Sequence, residues 1–97
     1  MITSKQRAYL RSMANTMETI FQIGKGGIGD NFNVQIDEAL KARELIKIRV
    51  LESAGISPKE AAVILADAVS PDIVQVIGSR ITLYRRNAEN AVIKLPR

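Results

Sequence analysis

Four of the chain's six glycines fall within six consecutive residues, Gly24-Lys25-Gly26-Gly27-Ile28-Gly29. Glycine loses more conformational freedom on ordering than any other residue and has no side chain to pack, so such a cluster does not sit inside a helix or a strand. It is a loop, and its flanks say what it joins. Before it, Ile20-Phe21-Gln22-Ile23 is a short apolar run that predicts a brief strand. After it, Asp30 or Asn31 stands where it can cap a helix in which Phe32, Ile36, Ala39 and Leu40 share a face, ending near Arg43. Strand, glycine loop and helix in succession call for helices packed on a sheet.

The other segments extend that plan. Thr3 and Ser4 offer capping hydroxyls to a first helix over residues 4–15, with Leu10, Met13, Ala14 and Met17 on one side and Lys5, Arg7 and Arg11 on the wet side. From Leu45 to Leu51, Ile46, Ile48 and Val50 alternate with Lys47 and Arg49, which predicts a strand with one basic face. Ser57-Pro58-Lys59-Glu60 is a capping box with proline at the first helical position, opening a third helix to about Val69, and Pro71 marks the break after it. Strands over 73–77 and 80–86 are joined by Gly78-Ser79, a two-residue hairpin link. The expected fold is α+β, in the order αβαβαββ, with three helices and a four-stranded mixed sheet whose last pair is antiparallel. Residues 1–97 read as one domain with a core over 3–86 and a weakly patterned tail over 87–97, which either dresses an edge or frays.

Composition excludes whole classes of chemistry. The 97 residues include no His and no Cys, so a Cys/His zinc site, a thiol nucleophile, a His-based triad and a disulfide are all ruled out. No constellation of nucleophile, base and oxyanion donor is visible, and the carboxylates Asp37, Glu38, Asp67 and Asp72 read as solvated surface. No catalytic residue, metal or cofactor is expected. The N-terminal residues turn basic at once, and the richest apolar window, 61–66, is cut by Asp67, so the expectation is a cytoplasmic monomer with no membrane partner.

Fourteen Lys and Arg against ten Asp and Glu give a net charge of +4, unevenly spread. Residues 1–29 carry four bases against Glu18, residues 30–72 carry five bases against eight acids, and residues 73–97 carry five bases against Glu89. If the two basic ends meet in the fold, one face is positive and the other negative, a footprint suited to a polyanion.

The glycine loop admits three readings. Residues 24–29 spell G-x-G-x-x-G between a strand and a helix, the dinucleotide fingerprint, with Glu52 near the end of the next strand. A dinucleotide needs the crevice of a larger doubly wound sheet, however, and Asp30 would set a carboxylate where the pyrophosphate should meet the helix. A Walker A loop fails because no Gly-Lys is followed by Ser or Thr. The second reading is a G-x-x-G loop, Gly24-Lys25-Gly26-Gly27, whose bare backbone approaches a phosphate while Lys25 supplies a cation. The third is a turn that needs glycine for geometry alone.

Further RNA-binding candidates follow from placement. Lys47 and Arg49 can lie beside Arg80, Arg85 and Arg86 on a basic sheet face if helices leave that face open. Lys5, Arg7 and Arg11 extend the positive surface next to the loop if the first helix packs beside the first strand. Phe21 and Phe32 fall on core-facing positions, leaving Tyr84 and Tyr9 as platforms for a base. Base stacking is not the expected main source of affinity, because the strands lack the aromatic pattern of an RRM.

Ordered blocks along the chain carry a resemblance: Ser4-Lys5-Gln6-Arg7-Ala8-Tyr9-Leu10-Arg11, Ile20 to Ile28, Glu38-Ala39-Leu40 with Arg43-Glu44-Leu45-Ile46-Lys47, Lys59-Glu60-Ala61-Ala62, and finally Val74 to Gly78 with Leu83-Tyr84-Arg85-Arg86. Over residues 3–86 the chain resembles the bacterial YhbY proteins, single-domain members of the CRM family. The resemblance implies a fold similar to the C-terminal domain of bacterial translation initiation factor three. It also implies RNA binding through a KH-like loop at Gly24, Lys25, Gly26 and Gly27, with ribosomal RNA in precursors of the large ribosomal subunit as partner. The tail departs from that family, for which a proline is expected near Ala91. The classes set against this reading are a small nucleotide-binding domain using residues 24–29 and a protein-protein adaptor using the acidic middle.

Overall fold

The computed structural model describes residues 2–97; Met1, counted in the domain above, lies outside the described residues. The elements are α1 (Ser4–Ala14), β1 (Phe21–Ile23), α2 (Asp30–Arg43), β2 (Leu45–Val50), a 3-10 turn (Glu52–Ala54), α3 (Pro58–Val69), β3 (Asp72–Ile77) and β4 (Arg80–Tyr84). The order αβαβαββ stands as expected. Two helix starts use reciprocal capping boxes: Thr3 with Gln6 on α1 and Ser57 with Glu60 on α3. The start of α2 differs, because Gly29 is its N-cap and Asp30 is already helical, so no side chain caps it. The last strand also ends earlier than its pattern indicates, at Tyr84, and Arg85 and Arg86 lie beyond the sheet.

The sheet order is β1-β2-β4-β3, with β1 parallel to β2 and the other pairs antiparallel. Gly78 takes φ +56 at the first position of the hairpin link, a conformation glycine adopts without strain. One face carries the larger core, in which Ile36 and Leu40 of α2 and Ala61 and Leu65 of α3 pack on Ile46, Ile48, Ile81 and Leu83. The T-shaped pair Phe21 and Phe32, with centroids 6.1 Å apart, closes the β1 end of this layer. Helix α1 packs on the opposite face, across β2, β3 and β4. There Leu10, Leu45, Val74 and Tyr84 form a second cluster with Ile2.

The tail dresses that second face. Its anchor is Glu44, the one residue between α2 and β2, held at φ 64 and wholly buried. The Glu44 carboxylate accepts the backbone N–H of Asn87 at 2.7 Å, Val92 at 2.7 Å and Ile93 at 2.6 Å. Gln6 Nε2 donates to the Pro96 carbonyl at 3.0 Å, and Ile93 and Leu95 pack on the Tyr84 cluster. The two basic ends of the chain therefore meet on the α1 face, while the acid-rich helices α2 and α3 lie on the other. Among the described residues no helix is long and apolar enough to cross a membrane.

Candidate nucleic-acid interface

The glycine loop leaves the sheet where β1 and β2 end side by side. Leu51 N–H donates to the Ile23 carbonyl at 2.9 Å and Val50 N–H to that of Ser79 at 2.7 Å, so the loop, the end of β2 and the Gly78-Ser79 turn share one end of the sheet. Gly27 N–H closes a turn on the Gly24 carbonyl at 2.9 Å, and Gly27 takes φ +66. Glycine is required there. At the tip it is not: Lys25 and Gly26 both lack positive φ, and a β-carbon on Gly26 would meet nothing within 4 Å. Gly24 is equally tolerant, since a β-carbon would reach only ordinary contact with Leu51 at 3.6 Å and Ser53 at 3.7 Å. Lys25 and Gly26 are exposed, and among the described residues their amides donate to no protein acceptor. Asp30 is exposed at the first turn of α2, where the dinucleotide reading would seat its pyrophosphate.

Register decides the basic sheet face. Gln22 pairs with Arg49, Arg49 with Arg80, and Arg80 with Ile77, so these four residues form one row across all four strands beside the loop. All four are exposed, and among the described residues neither arginine makes an ion pair. The next row on this face holds Lys47, Thr82 and Gln75. Lys47 is drawn into the scaffold, its ammonium donating to the carbonyls of Ala14 at 3.0 Å and Met17 at 3.4 Å, where it closes the C-terminal end of α1.

The other six residues read as RNA-binding from sequence, Tyr84, Arg85, Arg86, Lys5, Arg7 and Arg11, do not join the loop on one surface. Tyr84 is 2% exposed, and burial with the nearby Glu44 charge pushes its phenol up; its ring offers no face to a base. Arg85 donates to the carbonyls of Val69 at 2.8 Å and Asp37 at 3.1 Å and pairs with the Asp37 carboxylate at 2.8 Å. Asp37, expected as free surface, thus bridges Lys41 and Arg85, whose hydrogen bonds hold its carboxyl below the usual value. Arg86 stays exposed. Lys5, Arg7 and Arg11 ride on α1, which packs on β2 to β4 and not beside β1 as the sequence reading required. The N-terminal turn of α1 lies at the Tyr84 end of the sheet, where Gln6, Arg86, Lys94 and Arg97 line one depression, far from the loop.

This end of the molecule sets a glycine turn with free amides and an exposed lysine beside two unpaired arginines, a set of groups that can donate hydrogen bonds to an anion. Residues 2–85 match the model of the CRS1/YhbY (CRM) domain. The chain belongs to the CRM family. As a CRM domain it is similar to "Probable RNA-binding protein YqeI" of Bacillus subtilis (strain 168), 46% identical over 99% of this chain and 100% of the relative. It is 31% identical to an RNA-binding protein of Haemophilus influenzae over 99% of this chain and 96% of that one. The solution structure of the hypothetical protein SAV1595 from Staphylococcus aureus, described as a putative RNA binding protein, superposes on this CRM domain with a TM-score of 0.77, at 48% identity over 99% of this chain and 100% of that one.

The row Gln22-Arg49-Arg80-Ile77 escaped sequence reading as a unit. The alternation of β2 and the hairpin link supplied its parts, but the pairing of β2 with β4 sets the register. Glu44 carried no local signal of its role.

Proposed function

We propose that this chain is a non-enzymatic RNA-binding module that takes the sugar-phosphate backbone on the Gly24–Gly27 turn. One observation carries the reading: Gly26 stands at an exposed tip where neither backbone conformation nor a neighbouring atom calls for glycine. A bare backbone at that point serves something that approaches from outside, and two free amides beside the Lys25 ammonium fit a phosphate. The relatives named for RNA binding support the choice of polyanion, and the resemblance to YhbY proteins supports ribosomal RNA of large-subunit precursors as the target, met in the cytoplasm.

The variant K25D/G26D should keep the wild-type melting temperature, because both positions are exposed and open. Its RNA affinity by anisotropy should fall at least about tenfold, and its log K against log salt should flatten by roughly 0.7 to 0.9 for each phosphate no longer bound. A folded variant with unchanged affinity removes the loop from the interface. Crosslinks recovered from cells should concentrate in large-subunit ribosomal RNA; crosslinks confined to other RNAs would overturn that target.

A further inference from the structure

Resting on the RNA-binding reading, we infer that the exposed row Gln22-Arg49-Arg80-Ile77 is a second binding track, and that it fits the backbone of helical RNA, not an unstructured single strand. The row begins beside the glycine loop and crosses all four strands, about 14 Å at ~4.8 Å per strand. Helix α1 covers the Leu45, Val74 and Tyr84 end of this face and leaves the Arg49 and Arg80 end bare.

The placement of the arginines is costly to the free protein. Arg49 and Arg80 are directly opposite each other on antiparallel strands, and like charges in that position repel. Glu18 stands on the rim of the adjoining groove, beside Lys47 and Arg80, yet makes no ion pair with either. The fold has a carboxylate within the neighbourhood and does not use it. Two phosphates in succession would relieve the repulsion and satisfy two planar guanidinium forks.

The chemistry of the track selects the form of the RNA. Gln22, Arg49 and Arg80 present amide and guanidinium groups, and half-buried Gln75 adds a second amide in the next row. Among the described residues no aromatic side chain lies in these two rows: Phe21 and Phe32 are packed together, Tyr84 is buried and Tyr9 is on α1. Single-stranded RNA is held largely by stacking its splayed bases on aromatic rings, whereas an RNA duplex is recognised through its phosphates and 2′-hydroxyls. Polar donors without a stacking platform match the duplex.

The test compares a perfect RNA hairpin with an unstructured uridine strand of equal length, each titrated at several salt concentrations. Wild type should favour the hairpin by about tenfold or more. R49A/R80A should lose that preference, flatten the hairpin salt slope by about 1.8 for two phosphates at ~0.9 each, and melt at or above the wild-type temperature because a repulsion is gone. R49Q/R80Q, which keeps long side chains on the sheet, should behave alike. Equal affinity for strand and hairpin, or an unchanged slope in both arginine variants, overturns the track. If K25D/G26D weakens binding while the arginine variants do not, the loop reading survives and this one falls. If wild type binds neither RNA, both fall.

Discussion

Glu44→Ala is expected to remove about 3 kcal/mol of folding stability, more than any other single substitution outside the apolar core. The carboxylate is fully buried and accepts three backbone amides that have no other acceptor. Hydrogen bonds to a charged group contribute about 1.5 to 3 kcal/mol each, but the amides of the tail regain water when released, which holds the net loss below the sum of three such bonds. For a chain of this size the midpoint of thermal unfolding should drop on the order of 15 °C. Glu44→Gln should recover only part of the loss, because its amide nitrogen turns a donor toward donors. Denaturant titration and hydrogen exchange at Val92 and Ile93 read the effect; a stability within about 0.5 kcal/mol of wild type would show that the tail does not depend on this clasp.

The same clasp sets an acid dependence. Burial pushes the Glu44 carboxyl up, but the amides of Asn87, Ile93 and Val92, with the charge of Arg86, outweigh it and hold the group below its ordinary value of 4.5. A carboxyl lowered in the folded state contributes its full stability above the unfolded value and loses it as pH falls through the folded one. Asp37 is lowered in the same direction from 3.8 by Lys41 and Arg85. Wild type should therefore weaken progressively below about pH 4.5, and Glu44→Gln should show a shallower acid limb.

Arg85→Ala is expected to cost about 2 kcal/mol, the second largest effect. Its guanidinium joins three elements, reaching the last turn of α3 through the Val69 carbonyl and α2 through both the carbonyl and the carboxylate of Asp37. Removing it takes the side-chain donor from the Val69 carbonyl at the end of α3 and separates the exit of β4 from both helices. Arg85→Lys should rescue little, since one ammonium cannot span the same fork. Measured at a temperature where the variant is folded, RNA affinity should equal that of wild type. A loss of affinity with unchanged stability would return Arg85 to the interface.

The contrast between Arg85 and Lys25 shows what sequence alone could resolve. Local signals carried the elements: the capping box at Ser57 and Glu60, the alternation through Ile46, Lys47, Ile48 and Arg49, and the glycines at 24–29 each report on a few neighbouring residues. All produced elements close to those observed. The exposure of Lys25 was legible for the same reason, because its environment is its own loop. Arg85, Lys47 and Tyr84 were misread because their partners lie far along the chain: Arg85 on Asp37 and Val69, Lys47 on Ala14 and Met17, Tyr84 against Leu45 and Val74. An arginine after a strand looks the same in sequence whether it faces water or a carbonyl. Glu44 was hidden more deeply, since its role depends on a tail with no periodic pattern and on a one-residue connection between α2 and β2.

The position of β4 bears on how the chain comes to be folded during synthesis. It is the last strand in sequence, yet it lies between β2 and β3 and supplies partners to both. A nascent chain emerging from the ribosome has β2 with one open edge and β3 with no neighbour until Arg80–Tyr84 clears the exit tunnel, and open edges invite pairing with other chains. Sheet completion is thus a late event, and a chain ending between Ile77 and Arg80 lacks the middle of the sheet, leaving the β1-β2 pair and β3 unjoined.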